Sequence, residues 1–235
     1  MTEFLLVIPV YNEQKILRKN ILKLIDFLDN KSIKYKIVIA DNASTDDTQK
    51  IAKELASKHK TVYSFSIPRK GRGYALKHAW KNFNADIYAY CDVDLATDIN
   101  QISSLINQIL QGNNLVIANR YLKRSKSRRT IGRFVYSKIY IYLARFLLNT
   151  KITDLQCGFK AADKKVINNL LPKIKDNNWF FDTELVIKAL KMGYKIKQIP
   201  VNWQENNESK VKIIQTSINY IKKLIRLRKE LRNFK

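Results

Sequence analysis

Short apolar runs alternate with helix-like stretches along the chain, and this alternation restricts the fold more than any other feature. The runs that are typical of strands occupy residues 4–8, 35–40, 61–67, 86–91, 115–118 and 194–203. Between the first two runs, apolar residues recur at helical spacing, at Leu17, Ile21, Leu24 and Leu28. The sequence therefore predicts an α/β fold: a mostly parallel sheet with helices on both faces.

Acidic residues follow two of the predicted strands. Asp41 ends the second run, and Asp92-Val93-Asp94 ends the fourth. Ligands of such sheets bind beyond the carboxyl ends of the strands. Two carboxylates one residue apart suit Mg²⁺ or Mn²⁺, with a diphosphate completing the coordination shell. The pattern predicts a metal site that stabilises a departing diphosphate, and an acidic turn without a metal is the alternative.

Three further features have both a functional and a plain structural interpretation. Residues 9–13 (PVYNE) either hold a nucleoside or form a simple turn after Pro9 ends the strand. Asp41 either accepts hydrogen bonds from that nucleoside or caps a helix. Residues 70–73 (KGRG) either bring cations and open backbone close to phosphates or form a solvated loop.

The net charge of +24 is far from that of a typical soluble enzyme. It favours anionic partners, namely nucleic acid, anionic lipid or phosphorylated substrates, without choosing among them. Two distant cysteines without a CxxC pattern predict a reduced, cytosolic protein. The start of the chain does not have the features of a signal peptide, and no run approaches the roughly 18 apolar residues of a membrane span. We therefore expect any membrane contact to be peripheral.

The second half of the chain is more basic. Residues 123–138 contain seven Lys or Arg and no acid, and residues 134–148 are apolar on nearly all sides of a helix. We expect one catalytic domain at residues 1–211 and a basic amphipathic helix at 212–235 that extends the same domain. This helix either lies in an anionic membrane interface or packs its apolar stripe on the core.

Several motifs occur together in a characteristic order. They are PVYNE (9–13), ADNASTDDT (40–48), KGRGYA (70–75), DVDLATD (92–98), NRY (119–121), DLQCGFK (154–160), FFDTEL (180–185) and VNW (201–203) followed by ESKVKI. Together they resemble family-2 glycosyltransferases of the dolichyl-phosphate hexose synthase group and their bacterial polyprenyl-phosphate relatives. The resemblance implies a GT-A, Rossmann-like fold, a nucleotide-sugar donor and Mg²⁺ or Mn²⁺.

The resemblance also implies roles for individual residues. The nucleotide sugar would be held by Pro9, Tyr11, Glu13, Asp41, Lys70, Gly71, Asp92 and Val93. Asp92 and Asp94 would bind the metal, and Ala96 replaces a glutamine that is often a third ligand in mannose synthases. The catalytic group would comprise Asp94, Arg120, Asp182 and Glu184, of which Asp182 and Glu184 either act on the sugar or merely favour a helix N-terminus. The acceptor phosphate would contact Ser137, Lys138, Lys160 and Lys210.

The expected reaction is an inverting transfer of a hexose to a polyprenyl phosphate at the cytoplasmic face of a membrane. The QCGFK form resembles the glucosyltransferase branch, so UDP-glucose is favoured over GDP-mannose. A phosphate acceptor is mostly dianionic at pH 7 and needs no strong general base. A separate membrane-protein partner is conceivable. The alternatives are transfer to a glycan or other hydroxyl, a non-catalytic relative, and a nucleic-acid-binding protein, which the lack of a nucleic-acid module disfavours.

Overall fold

The computed structural model describes residues 2–128, 131–204 and 213–234. A seven-stranded sheet has the order β3-β2-β1-β4-β7-β5-β8, and a separate two-stranded sheet joins β6 to β9. The strands are β1 (Glu3–Val10), β2 (Lys34–Asp41), β3 (Val62–Ser66), β4 (Ile87–Cys91), β5 (Leu115–Asn119), β6 (Lys126–Arg128), β7 (Phe159–Asp163), β8 (Ile196–Pro200) and β9 (Asn202–Gln204).

Within the described residues, eight α-helices connect and cover these strands. They are α1 (Leu17–Asp29), α2 (Thr48–Lys58), α3 (Arg72–Asn82), α4 (Ile102–Leu110), α5 (Ile131–Leu148), α6 (Lys164–Leu170), α7 (Phe181–Lys191) and α8 (Ile213–Arg232). Two short 3₁₀ helices cover Ile99–Gln101 and Leu171–Lys173. Every pairing in the large sheet is parallel except those of β7, which runs antiparallel between β4 and β5.

The sheet buries an apolar cluster on each of its faces. The side chains of β1 alternate between them: Phe4, Leu6 and Ile8 lie in one cluster, and Leu5 and Val7 lie in the other. Helices α1 and α4 complete the first cluster, whereas α3, α6 and α7 complete the second. The predicted class, a mostly parallel sheet with helices on both faces, is confirmed.

Pro9 does not end the first strand, contrary to our expectation, because β1 continues to Val10. β4 pairs with β1 only as far as Val7 and Tyr90, whereas β2 pairs with it to the end of both strands. Beyond Val7 the strand therefore has a single partner. An edge-like position of this kind tolerates a residue without an N–H donor.

The strand predicted at residues 194–203 is two strands, β8 and β9, in different sheets. The sequence did not predict β6 or β7. The omission of β7 matters most, because this strand lies near the middle of the large sheet.

Helix α8 packs on the body of the protein. Leu224 and Leu227 are fully buried in the second cluster, and the Tyr220 ring lies 5.4 Å from the ring of Tyr140 on α5. The predicted boundary at residues 211–212 lies outside the described residues. Among the helices of the part that is described, none is long and apolar enough to cross a membrane.

Candidate functional site

The candidate site lies at the carboxyl edge of the large sheet, where β1 separates β2 from β4. The chain adds β2 and β3 on one side of β1 and β4 on the other, so the strand order reverses between β1 and β4. Sheets of this type bind ligands in the crevice outside such a point. Asn12, Ala43 and Leu95, which follow β1, β2 and β4, have φ angles of 54°, 59° and 51°. Positive φ is uncommon outside glycine, and such strain concentrates at functional sites.

Asp41 lies at the end of β2 with only 1% of its surface exposed. One carboxylate oxygen accepts a hydrogen bond from the Ser66 hydroxyl at 2.6 Å, and the other accepts one from the backbone N–H of Ser44 at 3.3 Å. These contacts fix the carboxylate at the floor of the crevice. No helix cap is formed by this side chain, because α2 begins several residues later, at Thr48.

The loop after β1 is held by the loop after β2. The backbone N–H of Asn12 donates to the Ser44 hydroxyl at 2.9 Å, and that of Glu13 donates to the Thr48 hydroxyl at 2.8 Å. Asn12 also accepts a hydrogen bond from the backbone N–H of Thr45 through its amide oxygen, at 2.8 Å. The two loops therefore form one wall of the crevice.

The KGRG segment completes this wall. The ammonium group of Lys70 lies 4.1 Å from the centre of the Tyr11 ring, within the range of a cation–π contact. The backbone N–H of Gly71 donates to the side-chain oxygen of Asn42 at 2.5 Å. The structure thus brings Tyr11 and Lys70 together, joins Gly71 to Asn42, the residue after Asp41, and places Pro9 within β1.

The carboxylate pair follows β4 on the other side of the crevice. Asp92 is partly exposed, and Asp94 accepts a hydrogen bond from the backbone N–H of Ala96 at 3.1 Å. Burial, together with the charge of Asp92, raises the pKa of Asp94 above its ordinary value. Val93 is buried in the core, so only its backbone can serve a ligand; its carbonyl accepts a hydrogen bond from the Asn20 amide at 2.8 Å.

The residues present fit a Mg²⁺ or Mn²⁺ ion that also binds phosphate oxygens. Such an ion is usually held by one or two carboxylates, with phosphates and water supplying its remaining ligands. Asp92 and Asp94 provide two carboxylates. No cluster of three or more potential His, Cys, Asp or Glu ligands occurs in the described residues, so the protein alone does not enclose a metal there.

Arg72, at the start of α3, links the carboxylate pair to the core. Its guanidinium group donates to Asp92 at 2.9 Å and to Asp182 at 2.5 Å. The same group lies 5.0 Å from the Tyr90 ring and 4.9 Å from the Trp179 ring. Arg72 is 5% exposed, so this cation belongs to the floor of the site.

Asp182 is fully buried beneath Arg72. Its carboxylate accepts a hydrogen bond from the Lys160 ammonium at 2.6 Å and another from the Tyr90 hydroxyl. Burial alone would raise the pKa of Asp182, but the charges of Lys160 and Arg72 outweigh burial and lower it. Lys160, which the sequence assigned to the acceptor phosphate, is itself buried and also donates to the Cys157 carbonyl at 2.5 Å.

Gly158 provides the space that this arrangement needs. A Cβ atom at this position would lie 2.0 Å from a carboxylate oxygen of Asp92 and 2.7 Å from a terminal nitrogen of Arg72. Both distances are far below van der Waals contact. The glycine of the DLQCGFK motif is therefore required for the Arg72–Asp92 pair to form as it does.

Glu184 lies apart from the other predicted catalytic residues. It is fully buried, and its carboxylate accepts hydrogen bonds from the backbone N–H groups of Lys175 and Asp176 at 2.7 and 3.1 Å and from Arg226 of α8. Residues two positions apart on a helix face different directions. Glu184 and Asp182 therefore contact different partners, and the catalytic role expected for each of them stays a prediction.

Arg120, at the end of β5, is bound to Asp154. Two guanidinium nitrogens donate to the Asp154 carboxylate at 2.7 and 2.9 Å, and the backbone N–H of Arg120 donates to it at 3.0 Å. The guanidinium also lies 5.2 Å from the Trp203 ring. Asp154 belongs to the DLQCGFK motif, so this pair joins two of the motifs that carry the resemblance.

The other residues predicted for the acceptor phosphate are Ser137, Lys138 and Lys210. Ser137 and Lys138 belong to α5, and the Lys138 ammonium lies 5.0 Å from the Tyr121 ring. Lys210 falls outside the described residues. Sequence reasoning did not single out Trp179 or Asp154 and treated Arg72 only as part of a run, although all three lie in or beside the quoted motifs.

A family model described as glycosyl transferase family 2 matches residues 5–171. Since this match covers more than half of the 235 residues, the chain belongs to glycosyl transferase family 2. The resemblance inferred from its motifs is thereby confirmed, as is the predicted class of enzyme, a glycosyltransferase.

Two relatives illustrate how far the similarity extends. The chain is 28% identical over 228 residues to the glycosyltransferase AglD of Haloferax volcanii, an alignment that covers 95% of this chain but 36% of AglD. It is 28% identical over 249 residues to the dolichyl-phosphate beta-glucosyltransferase of Saccharomyces cerevisiae, which covers 94% of this chain and 73% of that enzyme. The chain thus spans little more than a third of the length of AglD.

Solved structures share the fold at lower identity. The glucosyl-3-phosphoglycerate synthase of Mycobacterium tuberculosis in complex with UDP matches with a TM-score of 0.72 and 20% identity, over 97% of this chain and 80% of that one. The same enzyme with Mn²⁺, UDP and glucosyl-3-phosphoglycerate matches with a TM-score of 0.68 and 20% identity, over 100% and 81% of the two chains. These matches confirm the expected GT-A fold.

Proposed function

We propose that the protein is an inverting hexosyltransferase that moves a sugar from a nucleotide sugar to a polyprenyl phosphate. The observation that carries this proposal is the crevice at the strand-order reversal, which has Asp41 on one side and the Asp92–Asp94 pair on the other. A nucleoside bound near Asp41 would extend its diphosphate toward the carboxylate pair. This arrangement suits a nucleotide sugar and leaves the sugar close to Arg72.

A divalent cation would supply the charge that stabilises the departing diphosphate. Asp92 and Asp94 would hold it together with the phosphate oxygens. Support comes from the structural neighbours, which were solved in complex with UDP and Mn²⁺ or Mg²⁺. The residues of this chain would position the metal ligand and the donor: Arg72 would hold Asp92 in place, and Asp41 would orient the nucleoside.

The acceptor is inferred from the state of Asp182, the buried carboxylate beneath Arg72, which is not free to act as a base. A sugar hydroxyl must lose its proton during attack, whereas a phosphate monoester is mostly dianionic at pH 7. The Asp182 carboxylate is held by Arg72, Lys160 and Tyr90, and its lowered pKa makes it a weak base. A phosphate acceptor requires no such base. Relatives named dolichyl-phosphate beta-glucosyltransferase support the same acceptor.

Glucose is the preferred sugar and UDP-glucose the preferred donor, with mannose and GDP-mannose second. The preference rests on the DLQCGFK motif at residues 154–160 and on the names of the relatives. The motif contributes Asp154 to the pair with Arg120 and Gly158 to the space beside Asp92. Both contacts lie beside the proposed position of the sugar diphosphate.

We further propose that the enzyme works as a peripheral protein on the cytoplasmic face of a membrane. Two helices that pack together, α5 and α8, expose large apolar side chains, which we call the α5–α8 apolar patch. Its members are Tyr136, Ile139, Tyr142, Phe146, Ile221 and Ile225. Exposed basic residues on the same helices, such as Arg145 and Lys222, suit an anionic lipid surface. A lipid-linked acceptor would reach the enzyme from this surface.

The first test is a transfer assay on the purified chain in mild detergent. The protein is incubated with Mn²⁺, a short polyprenyl phosphate and either UDP-glucose or GDP-mannose, and the lipid products are followed by mass spectrometry. We predict a hexosyl lipid phosphate that requires the metal. Asp94→Asn should lower the rate at least about 100-fold, because it removes a charged metal ligand worth several kcal/mol to the transition state.

Asp98→Asn is the matched control. It makes the same chemical change four residues away, at a side chain that caps the 3₁₀ helix Ile99–Gln101. It should leave the rate within about twofold of the original, as is usual for a change outside the reacting centre. If no donor yields product although the protein binds UDP and Mn²⁺, the acceptor is wrong, and a glycan or other hydroxyl becomes the better candidate. If it binds neither, the proposal fails.

A further inference from the structure

Helix α8 is joined to the floor of the site through a loop, residues 174–180, that precedes α7. We call it the clamp loop. We propose that Arg226 of α8, acting through Glu184, positions the clamp loop and thereby sets the affinity of the site for the nucleotide. This inference rests on the proposed function, and it gives a positioning role to a helix that lies outside the crevice.

The first step of the connection is the anchoring of the clamp loop from below. The buried Glu184 carboxylate accepts hydrogen bonds from the backbone N–H groups of Lys175 and Asp176, and its other oxygen accepts one from Arg226. A second cation of α8, Lys223, lies 2.6 Å from the Asp176 carboxylate. Cations on α8 therefore compensate the two acidic side chains that fix the start of the loop.

The second step joins the clamp loop to the start of α3. The Asn177 carbonyl accepts a hydrogen bond from the backbone N–H of Tyr74 at 2.9 Å. A Cβ atom at Gly71 would lie 2.7 Å from that carbonyl, and one at Gly73 would lie 3.0 Å from the Asn178 carbonyl. The loop and the helix start are thus in direct backbone contact. A shift of one cannot be absorbed without a shift of the other.

The third step of the connection links the clamp loop to Asp92, a proposed metal ligand, through Arg72. Trp179, at the end of the clamp loop, lies 4.9 Å from the guanidinium of Arg72, which donates to Asp92 at 2.9 Å. Arg72 is also the first residue of α3. The clamp loop therefore touches Arg72 through its ring contact with Trp179 and through the backbone at the start of the helix.

Removing Arg226 would leave the buried Glu184 carboxylate without its α8 partner. Lys188 would remain 3.7 Å from the Glu184 carboxylate, but loss of the Arg226 hydrogen bond leaves one buried oxygen without this donor and weakens the hold of the carboxylate on the two loop N–H groups. The clamp loop would then relax, and the Arg72–Asp92 pair would lose its fixed geometry. The catalytic residues themselves would be unchanged.

Two readouts test this inference. Calorimetry gives the dissociation constant for UDP with Mn²⁺, and ¹⁹F NMR of protein labelled with 5-fluorotryptophan reports the surroundings of Trp179. The chain has three tryptophans, and the Trp179 resonance is the one that disappears in Trp179→Phe. We predict that Arg226→Ala weakens nucleotide binding about tenfold and shifts the Trp179 resonance. Arg226→Lys, which keeps the charge, should recover part of the nucleotide affinity and move the Trp179 resonance part of the way back.

The matched control is Arg228→Ala, which removes the same side chain from an exposed position on the same helix. It should leave both the affinity and the Trp179 resonance unchanged. Should Arg226→Ala fail to fold, Arg226→Lys and Lys223→Ala carry the test, each with a smaller effect of the same sign. A folded Arg226→Ala protein with unchanged affinity and an unchanged Trp179 resonance overturns the inference. Because the resonance is measured without nucleotide, failure of the proposed function in the wild-type protein is recognised separately.

Discussion

Gly158 is a residue at which a small change should act directly on the site. Replacing it with alanine puts a methyl carbon where an Asp92 oxygen and an Arg72 nitrogen already lie. The Asp92 carboxylate must rotate or withdraw, so we predict that Gly158→Ala weakens binding of UDP with Mn²⁺ about tenfold or more, equivalent to at least about 1.4 kcal/mol. Calorimetry measures this loss.

The control for this prediction is Gly132→Ala. Gly132 is an exposed residue of α5 at which an added Cβ meets nothing within 4 Å. Alanine there should leave nucleotide affinity unchanged and raise stability by up to about 1 kcal/mol, since glycine is the poorer helix former. Equal nucleotide affinity in the Gly158 and Gly132 variants would contradict the role assigned to Gly158.

The positions of individual candidate residues at strand ends were predictable where the signal was local. Asp92 and Asp94 form a recognisable pattern after an apolar run, and Asp41 ends a strand. The ion pair of Arg72 with Asp182 was not predictable, because 110 residues separate the partners and only the fold brings them together. The contact of Glu184 with Arg226 was unpredictable for the same reason: the two residues are 42 positions apart, and the sequence shows only an acid near a helix start.

At the scale of elements, α5 and α8 should determine how the protein meets a membrane. Tyr142 and Phe146 of α5 are 72% and 71% exposed. We predict that Tyr142→Ser combined with Phe146→Ser lowers binding to phosphatidylglycerol vesicles at least about tenfold, since each CH₂ group buried in lipid contributes about 0.8 kcal/mol. Vesicle co-sedimentation measures this binding, and UDP affinity should not change.

Leu110→Ser provides the comparison, because Leu110 is 58% exposed but lies on α4. It should bind vesicles as well as the unaltered protein does. Neutral phosphatidylcholine vesicles should bind every variant weakly, given the basic residues around the α5–α8 apolar patch. Undiminished binding of the double variant to anionic vesicles would exclude this patch as the membrane contact.

The elements themselves were predictable where hydrophobic periodicity was strong. The first five predicted strands correspond to β1 through β5, with ends that differ by a few residues. β7 was missed because its sequence, FKAAD, is short and contains a lysine. Lys160 is tolerated in the middle of the sheet only because Asp182 neutralises it, and that partner lies outside the strand.

At the scale of the whole molecule, the positive charge and the arrangement of the site both suit a reaction that brings anions together. A net charge of +24 opposes the repulsion between an anionic donor, an anionic acceptor and an anionic membrane surface. The crevice supplies the cations Arg72 and Lys70 near the proposed position of the diphosphate and holds its buried carboxylates in ion pairs or hydrogen bonds. This combination suits a reaction in which charge must be neutralised and no proton needs to be removed.

Composition alone left nucleic acid, lipid and phosphorylated substrates open as partners. The choice among them became possible only when the fold brought the acidic strand ends into one crevice. The choice of a phosphorylated acceptor also depends on contacts that the sequence did not reveal, because the Asp182 carboxylate accepts hydrogen bonds from Arg72, Tyr90 and Lys160.

The central claim is that the acceptor is a polyprenyl phosphate. Its most direct test compares two acceptors that differ only in the phosphate. The purified protein is given Mn²⁺ and UDP-glucose labelled with ¹⁴C in the sugar, together with either a polyprenyl phosphate or the polyprenol of the same chain length, and label in the extracted lipid is counted. We predict label in the phosphate sample and only background in the polyprenol sample, because an alcohol must lose a proton during attack and Asp182 is held in ion pairs with Arg72 and Lys160. Equal or greater labelling of the polyprenol would contradict the claim, since it would require a base that the structure holds in ion pairs.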